Sequence, residues 1–334
     1  MSANEWILER DGFCLLPHAV DAATIQRLLT VFDDAFEDDS QAVRARSSRG
    51  HVYAARNLIE SIPDVSTVWQ VDPMLSLLHE KLGNGCGLVR ALFFDKPPER
   101  TWNLPWHKDT SIAVKDNSIK SPTFSRPTIK AGVPHVIASD DILHQMLTLR
   151  IHLDEVTDEN GPLQVIPGSH VSSESVGNGM HTAVSIHASV GDVLAMRPLI
   201  SHSSGSSSPG TKRHRRILHL EFAAVETLPD GYRWHNFIKP PDDADAYIFL
   251  GSVLARDGKL LEAKAAHRSA TQCNDGCIDE AYLNLGLILR ALGRYGEARQ
   301  CFERALEIDP EYQAAQDGID DIVSVLSHVQ DHNR

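Results

Sequence analysis

The sequence predicts a mainly β domain with flanking helices, followed by an all-α module. Apolar, strand-like runs dominate from Leu88 to about Phe222, whereas a helical pattern repeats between about 244 and 311. The chain has 334 residues, of which 42% are hydrophobic and 23% charged, so it is long enough for two cores. We therefore expect one domain over residues 1–240 and a second over residues 241–330.

Local patterns predict the elements that precede the strand-rich region. The run Phe13–Pro17 has the composition of a strand, and Ala22–Phe36 has the spacing of an amphipathic helix. A further helix is expected over Pro73–Leu82, ended by Gly83. The stretch from Val114 to Asp140 has little periodicity and several prolines, so we expect a long loop there.

The C-terminal repeat has a period of 35 residues, with Tyr247 equivalent to Tyr282 and Leu254 to Leu289. The remaining equivalent pairs are Leu250 and Leu285, Gly251 and Gly286, Ala263 and Ala298, His267 and Phe302, and Ala270 and Ala305. This pattern is that of the tetratricopeptide repeat with one additional residue in a turn. Two repeats and a capping helix from about Tyr312 to Val329 are therefore predicted.

A candidate metal site begins with His107 and Asp109, which are separated by one residue. In an extended strand, residues i and i+2 point to the same side, so both side chains could reach one ion. A third ligand must come from elsewhere in the chain, and His202 is a candidate. Two imidazoles and one carboxylate form the facial triad of non-haem Fe(II) oxygenases, and a downstream arginine cluster, 213–216, could grip the distal carboxylate of 2-oxoglutarate.

The His-x-Asp pattern alone is weakly specific, because the chain has 17 histidines and about one such pair is expected by chance. Two similar pairs compete with it, namely His152 with Asp154 and His219 with Glu221. Each of these histidines could instead be a hydrogen-bonded core or surface imidazole.

Four further segments, taken in their order along the chain, are far more specific than the His-x-Asp pattern alone. They are Asp11–Pro17, Asn160–His170, Val190–His202 and Arg215–Ala223. Together they closely resemble the phytanoyl-CoA dioxygenase family over roughly residues 5–235. The resemblance implies a double-stranded β-helix (jelly-roll) fold, an Fe(II) ion, 2-oxoglutarate as cosubstrate, and hydroxylation of a C–H bond by dioxygen. It further implies that the insertion after residue 114 covers the site as a lid.

Carried over by position, the metal ligands of the family fall on His107, Asp109 and His202. The cosubstrate arginine of the family falls on Arg215, and an error of one residue in the strand would select Arg216. Alternation along the strand groups Arg215 with the polar His219 and Glu221, which favours Arg215. Arg150 lies where relatives place a residue near the cosubstrate, or is an ordinary arginine on a strand surface.

The expected reaction is hydroxylation of a small-molecule or acyl substrate with release of succinate and CO2. Related halogenases replace the carboxylate ligand with a small residue, and Asp109 retains it here. Lys212 and the arginines that follow could favour an anionic substrate or form a solvated loop. The alternatives are a non-catalytic scaffold that uses its repeats, and a cupin-type metal enzyme that uses no oxoacid.

Composition excludes several partners. The net charge of −13 and the pI near 5.7 argue against general nucleic-acid binding. No apolar run is long enough to cross a membrane, and no secretory signal is evident at Met1. We expect a cytoplasmic protein whose helical repeats contact a protein partner or a second copy of the chain.

Overall fold

The computed structural model describes residues 6–37, 44–46, 52–98, 100–171, 182–240, 243–273 and 275–332. Within it the chain divides into two compact units. The first unit comprises residues 1–67 and 76–239, and the second comprises residues 68–75 and 240–334. Of the proline-rich linker predicted before the repeats, residues 241 and 242 lie outside the described part of the chain.

Among the described residues, the first unit has more residues in strands than in helices, and the second unit is mostly helical. The strands are β1 Phe13–Leu16, β2 Arg44–Arg46, β3 Val52–Ala55, β4 Gly87–Phe94, β5 Leu104–His107, β6 Ser111–Ala113, β7 Phe124–Lys130, β8 Val133–Ala138, β9 Met146–His152, β10 Leu163–Val165, β11 Val184–Ile186, β12 Val193–Met196, β13 His202–Ser204 and β14 Ile217–Ala223. The helices are α1 Leu8–Asp11, α2 Ala22–Glu37, α3 Leu58–Ser61, α4 Pro63–Thr67, α5 Met74–Leu82, α6 Asp140–Leu143, α7 Ala244–Arg256, α8 Leu260–Ala270, α9 Ile278–Ala291, α10 Tyr295–Ile308 and α11 Gln313–His332. The predicted N-terminal strand and helices are therefore present, each within one residue of its expected bounds.

Two antiparallel sheets form the double-stranded β-helix. The larger sheet has the strand order β1-β12-β9-β14-β4-β3-β2, and the smaller has the order β11-β10-β13-β5. A buried apolar cluster joins them, because Phe13 and Leu194 of the larger sheet pack with Leu163 and Ile186 of the smaller one. This packing of sheet on sheet produces the mainly β fold that the sequence predicts.

The central strands of the larger sheet are covered on both faces. On the outer face of β4, the ring of Phe93 packs against Phe32 of α2, with ring centroids 5.1 Å apart. The alternate residues of β4, Arg90, Leu92 and Phe94, line a cavity on the inner face. Because side chains alternate along a strand, one run of residues supplies both the outer core and the wall of the cavity.

The prediction of a long loop over residues 114–140 was wrong, because most of this stretch forms a β-hairpin. Strands β7 and β8 pair antiparallel, and β6 adds a third strand beside β8. Between β7 and β8, Ala131 and Gly132 take positive φ angles of 50° and 79°, which close the tight connection. The prolines suit this sheet because Pro127 lies in the segment where the β7–β8 register shifts.

The second unit contains the helix pairs α7–α8 and α9–α10, followed by α11. Its two repeats pack in the same way: a Cβ on Gly251 would meet the ring of His267 at 2.6 Å, and one on Gly286 would meet the ring of Phe302 at 2.5 Å. The absent side chain thus lets each helix approach the next one closely. The repeat register predicted from sequence matches these contacts.

Among the described residues, no helix has the length and apolar character needed to cross a membrane.

Candidate active site

Two histidines face each other across the smaller sheet. His107, the last residue of β5, is the cross-strand partner of His202, the first residue of β13, and their ring centroids are 4.2 Å apart. The Nδ1 atom of His107 lies 2.8 Å from the carbonyl oxygen of Pro105, and that of His202 lies 3.0 Å from the carbonyl oxygen of Ile200. Because a carbonyl only accepts, Nδ1 carries the proton in each ring, and the lone pair is on Nε2.

Asp109 completes the group from the loop after β5. The strand ends at His107, so the extended-strand argument for His107 and Asp109 holds only in part. The backbone N–H of Asp109 donates to the carbonyl oxygen of Pro198 at 2.9 Å, which fixes the loop beside β13. The carboxylate then lies between the two rings, with Oδ1 3.7 Å from Nε2 of His107 and Oδ2 3.6 Å from Nε2 of His202.

The protonation states suit metal ligands. Burial lowers the pKa of His202 to about 4, so its imidazole is neutral near pH 7. Burial by itself would raise the pKa of Asp109, but the nearby His202, His219 and His107 outweigh it and hold that pKa at about 2. A neutral imidazole and an ionised carboxylate are the forms that bind a divalent ion.

One ligand atom from each of His107, Asp109 and His202 lies within 4.8 Å of the others, and this group is the one His/Cys/Asp/Glu cluster of metal-binding geometry among the described residues. Two nitrogens and one oxygen on one side of an ion are the donor set of non-haem Fe(II) sites, which keep the remaining positions open. The residues present therefore fit an iron ion.

The three side chains open into a cavity of about 360 Å³. Its apolar wall includes Leu92, Phe94, Trp102, Leu104 and Leu163. Its cationic side chains are Arg56, Arg90, Lys108, Lys130, Arg150 and Arg215. Because small-molecule sites span roughly 300–1,000 Å³, the cavity suits a small ligand or part of a larger one.

Of the two neighbouring arginines, Arg215 lines the cavity and Arg216 does not. Nη1 of Arg215 donates to the carbonyl oxygen of Gly161 at 2.7 Å, while its buried Nε has no hydrogen-bond partner among the described residues. Burial and the charge of Arg150 lower the pKa of Arg215 to about 9, so it remains a cation at neutral pH. Arg216 instead forms an ion pair with Asp154 at 2.7 Å.

The competing histidine pairs have other structural roles. Nδ1 of the buried His152 donates to the carbonyl oxygen of Asp192 at 3.0 Å, and Asp154 is occupied by Arg216. His219 does line the cavity, with Nε2 3.1 Å from Oε1 of Glu221, but neither belongs to the metal-binding group.

A polar chain crosses the three central strands beneath the cavity. Arg150 is the cross-strand partner of His219, and Arg90 is the partner of Glu221. Nη1 of Arg150 lies 3.1 Å from Nδ1 of His219, and Arg90 forms an ion pair with Glu221. Because Arg150 only donates, Nδ1 of His219 accepts and its Nε2–H donates to Glu221. Four polar groups in an apolar sheet thereby pair with one another, although the buried Nε of Arg90 has no hydrogen-bond partner among the described residues.

Comparison with known families matches residues 8–214 to phytanoyl-CoA dioxygenase (PhyH). The chain belongs to the phytanoyl-CoA dioxygenase family. The match covers more than half of the chain and includes His107, Asp109 and His202, whereas Arg215 follows its last residue. A tetratricopeptide repeat matches residues 279–312, which correspond to α9 and α10.

Two curated relatives match parts of this family member. Over 160 residues it is 22% identical to L-proline trans-4-hydroxylase of Streptomyces griseoviridis, covering 48% of this chain and 52% of that protein. Over 71 residues it is 34% identical to the Protein CTR9 homolog of Arabidopsis thaliana, covering 21% of this chain and 6% of that one. The chain thus spans about half the length of one relative and a small part of the other.

Solved structures of similar shape include AviO1 from Streptomyces viridochromogenes Tue57, with 20% identity and a TM-score of 0.48. That comparison covers 66% of this chain and 94% of AviO1. EctD from S. alaskensis gives 17% identity and a TM-score of 0.49, covering 65% of this chain and 74% of EctD.

Sequence reasoning missed several charged residues that line the cavity. These residues are Arg90 on β4, Arg56 after β3 and Lys130 at the end of β7, and the sequence did not predict them as site residues. A signal for Arg90 was present, because it is the single charged residue of the apolar strand Gly87–Phe94. An isolated charge in a buried strand requires a partner, and that partner is Glu221.

Proposed function

We propose that this protein is an Fe(II)- and 2-oxoglutarate-dependent dioxygenase that hydroxylates a small-molecule or acyl substrate and releases succinate and CO2. The observation that carries the proposal is the cluster of ligand atoms on His107, Asp109 and His202, which lie within 4.8 Å of one another beside a buried arginine. Family membership supports the same conclusion.

In this proposal His107, Asp109 and His202 hold the metal. The Nδ1 hydrogen bonds to Pro105 and Ile200 keep each ring oriented and direct Nε2 toward the ion. Asp109 supplies a negative charge that offsets part of the charge of the metal. Its presence favours hydroxylation, because it leaves no vacant ligand position for a halide.

Arg215 is proposed to grip the distal carboxylate of 2-oxoglutarate. It is a buried cation whose Nε–H has no partner within the described ranges of the chain, so an oxyanion would satisfy both its charge and this donor. Arg150 lies near it, is held by His219, and adds positive charge on the same side. Arg216 is already paired with Asp154, which argues against the same role.

When bound, Fe(II) and 2-oxoglutarate supply the oxidation, in which dioxygen is consumed and the oxoacid is decarboxylated to succinate. The residues of the chain bind Fe(II) and 2-oxoglutarate, orient them and shield them from water. Apolar side chains of Leu92, Phe94 and Leu163 line the cavity and limit the water that reaches the reacting groups.

Succinate release from 2-oxoglutarate tests the proposal. The full chain is assayed with and without Fe(II), beside Asp109→Ala and beside Asp158→Ala, which removes an exposed carboxylate far from the metal ligands in sequence. We expect iron-dependent succinate, through uncoupled turnover, from the wild type and from Asp158→Ala. Asp109→Ala and His202→Ala should each lose it. Full activity in either ligand variant would show that the ligand assignment is wrong.

The competing function is a scaffold that uses the helical repeats and performs no catalysis. An anaerobic titration with Fe(II) and 2-oxoglutarate separates the two functions, because a scaffold has no need to bind either. The tetratricopeptide repeat at residues 279–312 supports contact with a protein partner, and we propose a catalytic protein with such a partner. The cytoplasmic location stays a prediction.

A further inference from the structure

A second group of cations lines the cavity, apart from Arg215 and Arg150. It consists of Arg56 after β3, Arg90 on β4 and Lys130 at the end of β7. The proposed function assigns none of the three a role.

The carboxylates of the described residues do not balance this group. Arg90 is paired with Glu221. Arg56 and Lys130 have no carboxylate within ion-pair distance among the described residues, and Nζ of Lys130 donates only to the hydroxyl of Ser111, at 2.7 Å. Within ion-pair distance the three cations therefore have one carboxylate among the described residues, that of Glu221. The charge of Asp109, the proposed metal ligand, also acts on Lys130 from farther away. Such an excess in a half-buried site is costly unless a ligand supplies the missing negative charge.

Electrostatic interactions connect the three cations. Burial and the charges of Arg90 and Arg56 lower the pKa of Lys130. Burial and the charge of Arg90 lower the pKa of Arg56. The cations therefore repel one another, and an oxyanion among them would relieve that repulsion.

The two cationic groups have different hydrogen-bond partners, because Arg215 donates to Gly161 and Lys130 donates to Ser111. The polar chain of Arg150, His219, Glu221 and Arg90 connects them. The charges that act on Arg215 are those of Arg150 and Asp95, whereas those that act on Arg56 are Arg90 and Glu221. Under the proposed function Arg215 binds the distal carboxylate of 2-oxoglutarate, and the oxoacid end of 2-oxoglutarate binds the metal. The excess charge at Arg56 and Lys130 is then left for the other substrate.

We propose that Arg56 and Lys130 bind an oxyanion of the substrate to be oxidised, either a carboxylate or a phosphate. This inference rests on the proposed function and adds the chemical class of the substrate. Arg56 offers a planar fork of donors and Lys130 a mobile ammonium, while the ion pair with Glu221 holds Arg90 in place. The cavity of about 360 Å³ limits the enclosed part of that substrate to a small group.

Binding of simple oxyanions to the full chain tests the proposal. The protein is loaded with Zn(II), which does not turn over, and with saturating 2-oxoglutarate, so that the Arg215 side is occupied. Benzoate, inorganic phosphate and the neutral benzamide are then titrated and followed by ligand-observed NMR. We expect benzoate or phosphate to bind at least about 10-fold more tightly than benzamide, since a hydrogen bond to a charged group is worth that much. Whichever anion binds better identifies the class of oxyanion.

Variants connect this binding to the two residues. Arg56→Gln and Lys130→Gln should each weaken oxyanion binding about 10-fold, Arg56→Lys should restore part of it, and affinity for 2-oxoglutarate should stay unchanged. Arg126→Gln is the matched control, because Arg126 is an exposed cation on the same strand as Lys130. Unchanged 2-oxoglutarate binding also shows that each variant is folded.

Three results would overturn the proposal. The first is absence of oxyanion binding to the loaded wild type, and the second is equal binding of benzoate and benzamide. The third is a loss of 2-oxoglutarate affinity in Arg56→Gln, which would assign that arginine to the cosubstrate instead. Failure of the proposed function is distinct from all three, because the wild type would then not bind 2-oxoglutarate.

Discussion

Replacement of Arg215 by alanine is the sharpest test of how the cavity holds its oxoacid. The guanidinium is buried, donates once to the backbone of Gly161 and leaves Nε without a partner among the described residues. In Arg215→Ala the distal carboxylate of 2-oxoglutarate would lose its charged partner in a site that water reaches poorly. The adjacent Arg216→Ala is the matched control, because Arg216 is paired with Asp154 and does not line the cavity.

The expected magnitude follows from the kind of contact that is lost. A charge-assisted, bidentate pair whose partner is left unpaired in a buried site costs roughly 2–4 kcal/mol. Because about 1.4 kcal/mol corresponds to a factor of ten, 2-oxoglutarate affinity should fall by about 30-fold to several hundred-fold. The neighbouring Arg150 remains in the variant and supplies some positive charge, which favours the lower half of this range.

An anaerobic titration of the Fe(II)-loaded protein with 2-oxoglutarate, followed by visible absorbance, measures this affinity without turnover. Arg215→Ala should shift the midpoint by the stated factor, and Arg216→Ala should leave it within about twofold. The reasoning is refuted if Arg216→Ala shifts the midpoint and Arg215→Ala does not. Loss of the absorbance change in both variants, with normal unfolding curves, would equally contradict it.

Three further predictions concern stability. His267 is buried where the second repeat has Phe302, and its Nδ1 has no hydrogen-bond partner in the part of the chain that the structure describes. His267→Phe should therefore raise the unfolding free energy by about 1–2 kcal/mol, measured as slower hydrogen exchange of α8 amides in the full chain. Burial lowers the pKa of His267 to about 4, below the value near 6.5 of an unfolded chain, so the unfolded state binds more protons between these values. The free energy of unfolding of the second unit should therefore reach its full value above about pH 6.5 and fall by roughly 2–3 kcal/mol toward pH 4. His267→Phe should abolish this pH dependence. If the variant loses stability toward pH 4 as the wild type does, His267 is not the group responsible. Glu221→Ala leaves Arg90 without its carboxylate and should cost about 3–5 kcal/mol in urea unfolding, while Glu221→Gln, which keeps a hydrogen-bond acceptor, should cost less.

Local patterns were sufficient for the N-terminal strand and helices and for the helical repeats. The helix Ala22–Glu37, the strand Phe13–Leu16 and the register of the repeats depend on spacings of three or four residues, or of two, along one segment. The resemblance to the family added the jelly-roll fold. The hairpin of β7 and β8 was missed because β7 is mostly exposed and because Pro127 and Pro134 interrupt the apolar alternation that marks a strand, although β8 itself is mostly buried.

Some residues of the candidate site were predicted and others were missed, because local patterns reveal only residues that are close in sequence. His107 and Asp109 are close in sequence, and family motifs identified His202 and Arg215. Arg56 and Lys130 carry no local signal, because each is an ordinary cation until the sheets bring it to the cavity.

The sequence by itself determined the repeat of small and apolar residues in the helices and the division between a β-rich and an α-rich part. With the family resemblance it also predicted which residues could bind a metal. Only the tertiary structure decided which of two adjacent arginines lines the cavity. It also revealed that Arg150, His219, Glu221 and Arg90 form one polar chain. Cross-strand register joins residues far apart in the chain, and no local pattern of residues contains it.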